Sequence, residues 1–249
     1  MMSASEVPLA SLPVAILCGG RGVRLRPATD TMPKALVPLN GRPILDYVLD
    51  RYAVQGITRF VLCVGYRGDE VRARYEGKRS GVQIEISDLG ETASMLARVV
   101  AVRDRARPRL AVSYGDTFTS LDVAKMVHSH VARRALATIV TAPIQSPFGL
   151  VTYDDEDRVT SFHEKPVLHY YIGHFLLERE ALDYATPAMI EKPDGEGLVE
   201  LFQRLAGEHR LARFEHQGLQ ITFNTESELR KAEEDLGRFY TLVERPWEP

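Results

Sequence analysis

Residues 14–27 read Val14-Ala15-Ile16-Leu17-Cys18-Gly19-Gly20-Arg21-Gly22-Val23-Arg24-Leu25-Arg26-Pro27, with Met32-Pro33-Lys34 close behind. An apolar run over 13–18 that stops at two glycines predicts a strand buried on both faces, as in a parallel sheet. Glycines directly after a strand let backbone approach a ligand closely and leave amide N–H groups for phosphate oxygens. Arg21, Arg24, Arg26 and Lys34 surround the same loop with cations, and a guanidinium suits multidentate phosphate binding. The Gly-Lys-Ser/Thr of a Walker loop is missing, and Gly19-Gly20-Arg21-Gly22 departs from the G-x-G-x-x-G dinucleotide fingerprint. Composition alone leaves a solvated arginine turn equally open.

Downstream, strand and helix patterns alternate. Ile44, Leu45, Val48, Leu49 and Tyr52 form one helical stripe behind Pro43, and Gly56 ends it. Strands are predicted over 58–64, 82–86, 109–114 and 137–142, with helices over 69–75, 92–103 and 121–131. Short connections between them argue for right-handed βαβ units: an α/β, Rossmann-like fold with a mostly parallel central sheet flanked by helices. After Pro147 the rhythm changes. Residues 148–153 and 158–163 flank Asp154-Asp155-Glu156-Asp157 and predict a hairpin. Strands over 170–177, 211–215 and 219–223 and helices over 198–206 and 225–239 complete the chain. Thr225 and Glu228 have the spacing of a capping box at the start of the last helix. Residues 1–10 are expected to be a flexible tail and 11–249 one domain.

The series Gly19, Gly20, Gly22, Arg24, Leu25, Pro27, Pro33, Lys34, Leu36, Gly41, Pro43 resembles the G-G-x-G-x-R-L-x-P…P-K-x-L…G-x-P signature of the sugar-1-phosphate nucleotidyltransferases, the nucleoside-diphosphate-sugar pyrophosphorylases. The order of later segments is similar over roughly 14–236. The resemblance implies a nucleotide-binding half over about 11–145 and a β-rich sugar-binding half over about 146–249. It also implies an enzyme that uses Mg²⁺ to transfer a nucleoside monophosphate from a nucleoside triphosphate to a sugar 1-phosphate, acting as a homo-oligomer. On that resemblance, Arg24 and Lys34 are catalytic, and Leu17, Gly19, Gly20, Arg21, Gly22 and Val23 bind nucleotide. Gly90 and Thr92 join them, because Asp88-Leu89-Gly90-Glu91-Thr92-Ala93-Ser94 resembles the Leu-Gly-Thr stretch that lines the base pocket.

Gly115-Asp116 closes the strand predicted over 109–114, and open α/β sheets place ligands beyond the carboxyl ends of strands. Magnesium prefers oxygen ligands and often takes only one or two from protein. A turn aspartate is the plainer reading, but the family keeps a metal aspartate in this Gly-Asp. Its second metal aspartate precedes the last helix, where this chain has Phe223-Asn224-Thr225. Asn224 offers a neutral oxygen, so the metal site is expected to be weaker.

His163-Glu164-Lys165-Pro166 resembles the family's Glu-Lys-Pro, which implies Glu164 at the sugar and Lys165 at its phosphate; by itself a Glu-Lys pair is a solvated surface pair. Tyr171-Ile172-Gly173 stands where Asn-x-Gly is common. Gly173 is kept, and loss of the polar group points to an unusual sugar or a sugar-like phosphate or phosphonate. The stretches 56–68, Tyr114-Gly115-Asp116, Pro147-Phe148-Gly149 and Phe214-Glu215-His216 resemble the glucose-1-phosphate cytidylyltransferase branch and favour CTP, although Met95 falls near that branch's arginine. GTP and dTTP stay open, as does a relative that binds nucleotide without turnover.

Composition excludes other classes. The chain has 249 residues, 45% hydrophobic and 26% charged, and a net charge of -3, ordinary values that suggest neither nucleic-acid nor membrane-surface binding. Two cysteines, Cys18 and Cys63, are too few for a disulfide framework and fit a reducing, cytoplasmic setting. Neither a targeting signal nor an apolar run near the ~18 residues of a membrane span is read. His128 and His130 lie two apart on a predicted helix and point different ways, which argues against zinc.

Overall fold

The computed structural model describes residues 8–79 and 81–242. Of the expected tail, positions 1–7 lie outside the described residues, whereas Leu9–Ser11 form a 3-10 turn and Leu12 is buried. In chain order the elements are β1 (Val14–Leu17), α1 (Ala28–Thr31), β2 (Pro38–Leu39), β3 (Arg42–Pro43), α2 (Ile44–Ala53), β4 (Arg59–Val64), α3 (Gly68–Tyr75), β5 (Gly77–Arg79), β6 (Val82–Asp88), α4 (Met95–Ala101) and β7 (Arg109–Tyr114). Then come β8 (Thr117–Thr119), α5 (Val123–Arg133), β9 (Ala137–Gln145), β10 (Leu150–Tyr153), β11 (Val159–His163), β12 (Val167–Glu178), α6 (Pro187–Ile190), α7 (Glu196–Gly207), β13 (Leu211–Glu215), β14 (Gln220–Thr222) and α8 (Glu226–Leu242).

Eight strands form one sheet in the order β13-β9-β12-β7-β1-β4-β6-β5. β1 pairs in parallel with β4 and β7, β4 with β6, and β13 with β9. β12, antiparallel to both neighbours, and β5 on the edge run against the others. The sheet is thus mostly parallel, as the alternating pattern predicts. The reversed β12 was not anticipated, because a buried apolar run carries no signature of strand direction.

β1 is buried at all four positions because helices cover both faces of the sheet. Val14 and Ile16 face a core completed by α2, α3, α5 and α8; Ala15 and Leu17 face a second core completed by α4, α6 and α7. Alternate side chains of a strand point to opposite faces, so one apolar run feeds both layers. The helix predicted over 92–103 is shorter. Ser94 Oγ accepts from Ala97 N at 3.1 Å and caps α4, which leaves 90–94 as a loop. At α8 the expected capping box forms: Thr225 Oγ1 accepts from Glu228 N at 3.3 Å and Glu228 Oε2 accepts from Thr225 N at 3.2 Å.

The chain winds from β1 to β4 to β6 on one side, then returns to place β7 on the other side of β1. The loops leaving β1 and β7 therefore diverge, and the crevice between them is the topological switch point where such sheets bind ligands.

Candidate functional site at the switch point

A cavity of about 650 Å³ opens at the carboxyl ends of β1 and β7. Leu17, Gly19, Gly20, Arg21, Gly22, Val23, Arg24, Lys34, Asp116 and Asn224 all line it, ten positions that the sequence had singled out. The glycines of this loop are not equivalent. Gly22 adopts a left-handed φ of 62° that brings in the turn Val23–Leu25, and Thr29 Oγ1 donates to its carbonyl at 2.9 Å. At Gly20 a Cβ would meet nothing within 4 Å, so space there does not demand glycine. At Gly19 a Cβ would collide with the guanidinium of Arg98. Gly115 serves the opposite wall, since a Cβ there would stand 2.8 Å from Cys18 Cβ.

Lys34 is the joint of the site. It follows Pro33 in the short turn Lys34–Leu36, and its side chain is 11% exposed. Its Nζ lies 2.7 Å from Asp116 Oδ2, donates to Asn224 Oδ1 at 3.0 Å, and sits 5.4 Å from the Phe223 ring centre. Three distant segments thus converge on one ammonium: the turn after the phosphate loop, the end of β7 and the entry to α8. Asn224 is held in turn by its own N–H, which donates to Glu228 Oε2 at 2.6 Å. Arg24 is exposed on the helical turn and lines the cavity. Arg21 pairs with Glu91 and lies over the Tyr66 ring, at 5.3 Å, tying the phosphate loop to the 90–94 loop. Arg26 turns to Asp30, 3.1 Å away, and is not among the residues that line the cavity.

Asp116 and Asn224 present two hard oxygens to the same cationic point. That donor set fits Mg²⁺, which takes few protein oxygens and completes its shell with phosphate and water. Among the described residues no group of three or more His, Cys, Asp or Glu side chains gathers as an all-protein metal cage. His130 is buried and its Nδ1 lies 2.7 Å from Thr138 Oγ1, while His128 is exposed.

The remaining expected residues are placed less centrally. Gly90 and Thr92 are exposed and do not line the cavity, although their neighbours Glu91 and Ala93 do. Gly173 lies where the β12–β9 register shifts, at φ 78°, and a Cβ there would stand 2.8 Å from the ring of Tyr114, a cavity residue. Glu164 and Lys165 are exposed between β11 and β12 and are not part of the lining. Ile172 is 5% exposed, packs into the first core and is not among the residues that line the cavity.

Arg98, Tyr114 and Asp194 also line the cavity and were missed. Arginine in a helix reads as a solvated face, Tyr114 as the end of a strand, and Asp194 belongs to a polar loop with no motif around it. Asp194 reaches the site because its carbonyl accepts from Met95 N, 2.8 Å away.

The chain is 32% identical over 176 residues to the mannose-1-phosphate guanylyltransferase of Mycobacterium tuberculosis, covering 68% of this chain and 49% of the relative. It is 28% identical over 192 residues to the UTP--glucose-1-phosphate uridylyltransferase of Synechocystis, covering 68% and 50%. It therefore spans about half the length of these two relatives. With the glucose-1-phosphate cytidylyltransferase of Salmonella typhi the identity is 27% over 230 residues, covering 82% of this chain and 87% of that one. A UTP-bound UGPase structure from Acinetobacter baumannii superposes with a TM-score of 0.72 at 14% identity, covering 92% of this chain and 94% of that one, a likeness of fold alone. With the phosphate loop, Lys34, Asp116 and Asn224 in one cleft, and with the nucleotidyl transferase family model matching residues 14–242, the chain belongs to the nucleotidyl transferase family.

Proposed function

We propose that the chain transfers a nucleoside monophosphate from a nucleoside triphosphate to a sugar 1-phosphate, releasing pyrophosphate. The observation that carries this is the convergence of Asp116 and Asn224 on Lys34 beside the glycine loop. An oxygen of the acceptor phosphate attacks the α-phosphorus; the new P–O bond forms as the bond to the bridging oxygen of the β-phosphate breaks, and that oxygen leaves with pyrophosphate. No covalent enzyme intermediate is needed. Arg24 and Lys34 hold the polyphosphate and stabilise the charge that develops, so catalysis is positioning plus electrostatics. A divalent ion held by Asp116 and Asn224 would withdraw further charge from the phosphate oxygens. Leu17, Gly19, Gly20, Arg21, Gly22 and Val23 form the nucleotide wall, with Gly90 and Thr92 at its rim. On the acceptor side we assign Glu164, Lys165 and Gly173, supported by their resemblance to the family's sugar segment.

CTP is our choice of donor. The cytidylyltransferase relative named above is matched over most of its length, whereas the guanylyl- and uridylyltransferase relatives are matched over about half. Free, buried Cys18 and Cys63 fit a reducing, cytoplasmic setting. No helix among the described residues is long and apolar enough to cross a membrane. We further propose that the chain self-associates through the β10–β11 hairpin.

The test is pyrophosphate release with Mg²⁺ across CTP, GTP, dTTP, UTP and ATP, each paired with a pool of sugar 1-phosphates. Release confined to CTP is the expected result. Release confined to another nucleotide corrects the base, and no release from folded protein with any pair overturns the reading. In the active pair, Lys34→Ala or Asp116→Ala is expected to lower kcat by about a hundredfold or more, as loss of one electrostatic stabiliser commonly does.

A further inference from the structure

Arg98 of α4 is 4% exposed, and its guanidinium lies beneath the loops that leave β1, β4 and β6. Its Nη2 donates to Gly90 O at 2.7 Å, and its Nη1 donates to Val64 O. A Cβ at Gly19 would stand 2.6 Å from its Cζ, and one at Gly65 would stand 2.5 Å from its Nη2. At Gly65 a Cβ would also stand 2.8 Å from Gly19 O and 2.9 Å from Gly90 O, so backbone as well as the guanidinium leaves no room for a side chain there. Tyr66 N donates to Gly19 O at 3.0 Å and closes the same joint.

The acceptors that hold Arg98 are neutral carbonyls. Asp88 acts on it through space, but Asp88 Oδ1 accepts from Gly90 N at 2.8 Å. Cys18 and Cys63, the other titratable groups beside it, are buried thiols whose pKa values burial pushes up, so they stay neutral. A guanidinium remains protonated in proteins, and a buried cation without a paired anion is costly. Arg98 thus holds a positive charge at the floor of the cleft beside Gly19, with carbonyls as its hydrogen-bonded partners and Asp88 acting on it only through space.

We infer that Arg98 is a positioning residue for the nucleoside triphosphate: it ties the 88–94 loop to the end of β4 beside Gly19 of the phosphate loop and supplies a fixed charge that a bound polyphosphate offsets. The inference rests on the nucleotidyl-transfer reading above. Calorimetric titration of wild type, Arg98→Lys and Arg98→Met with CTP, CMP and inorganic tripolyphosphate tests it, beside steady-state kinetics. Arg98→Met is expected to weaken CTP and tripolyphosphate by about tenfold or more, because the charge and the fork are both lost. CMP should weaken by a smaller factor, and the acceptor KM should stay within about twofold, since the charge acts on the polyphosphate. Arg98→Lys should recover part of the loss.

A folded Arg98→Met protein that binds tripolyphosphate like wild type overturns the inference. So does an equal loss for CTP, CMP and acceptor, which marks general damage to the fold. If the methionine variant does not fold, the lysine variant decides: weaker tripolyphosphate binding with an unchanged thermal transition supports the role, and wild-type binding overturns it. A wild type that releases no pyrophosphate yet binds tripolyphosphate in an Arg98-dependent way supports the inference and removes only the reading beneath it.

Discussion

His174 in β12 is 1% exposed, with Nδ1 3.1 Å from Tyr52 Oη and Nε2 3.3 Å from Thr119 Oγ1. Burial, helped by the nearby His216, lowers its pKa from 6.5 to about 3. Below the ordinary value the unfolded chain therefore binds a proton that the folded chain refuses. Stability is full above pH 6.5 and is lost as pH falls toward 3, by about 1.4 kcal/mol per pH unit for this one group. His216, lowered chiefly by burial, adds to the same slope. Melting temperatures between pH 7.5 and 5 should fall steeply for wild type and less steeply for His174→Gln, whatever the variant's stability at neutral pH; parallel curves would refute the assignment. A second residue-scale expectation concerns Asn224, whose amide oxygen sits with Asp116 at Lys34. Asn224→Asp adds a negative charge where a divalent ion would bind. The Mg²⁺ concentration for half-maximal turnover should fall several-fold, and an unchanged Mg²⁺ titration would argue that Asn224 only orders the start of α8.

At the scale of elements, α2 shows both how far the sequence could be read and where reading stops. Its apolar stripe Ile44, Leu45, Val48, Leu49 and Tyr52 is buried, as periodicity requires. Asp46 and Asp50, which pattern alone would turn outward, are buried too, at 5% and 2% exposure. Their partners come from elsewhere: Arg42 Nη2 lies 2.6 Å from Asp50 Oδ2, while Arg74 Nη2 and Tyr75 Oη donate to Asp46 at 3.1 and 2.7 Å. Arg42→Ala leaves the Asp50 charge in the interior without this ion pair, at a cost of about 3 kcal/mol measurable by denaturant unfolding. A loss near zero would mean that solvent reaches Asp50. The same division runs through the whole reading. Features written in contiguous residues were legible: β1 with its glycine loop, Lys34 two residues after Met32, the Gly115-Asp116 strand end, the Thr225–Glu228 box. Features made by convergence were not. Arg98 matters because three loops meet over it, β12 is reversed by its neighbours, and the two- and three-residue strands β2, β3, β5 and β8 are too short for any period to show.

On the scale of the molecule, the β10–β11 hairpin stands apart from the main sheet, as β10 pairs with β11 in a two-stranded sheet of their own. A lone two-stranded hairpin is marginal in water. This one also carries Tyr153 at 68%, Val159 at 64% and Phe162 at 63% exposure, with Phe148 at 76% just before it. Aromatic side chains of about 200 Å² each make the three exposed rings alone roughly 400 Å² of apolar surface, about half of one partner's share in a standard protein interface of about 800 Å² a side. Three exposed rings on and just before this one short hairpin are the ground on which we place the proposed self-association here. Light scattering should give a particle of at least two 27.9 kDa chains. The pair Tyr153→Ser and Phe162→Ser should return it toward one chain with its circular dichroism intact, because neither ring belongs to the two cores. Glu164 and Lys165 follow β11 directly, so loosening the hairpin should also raise the acceptor KM while the nucleotide KM holds. A wild type that scatters as a single chain, or a double variant that keeps the wild-type mass, would show that this surface serves something other than a second copy.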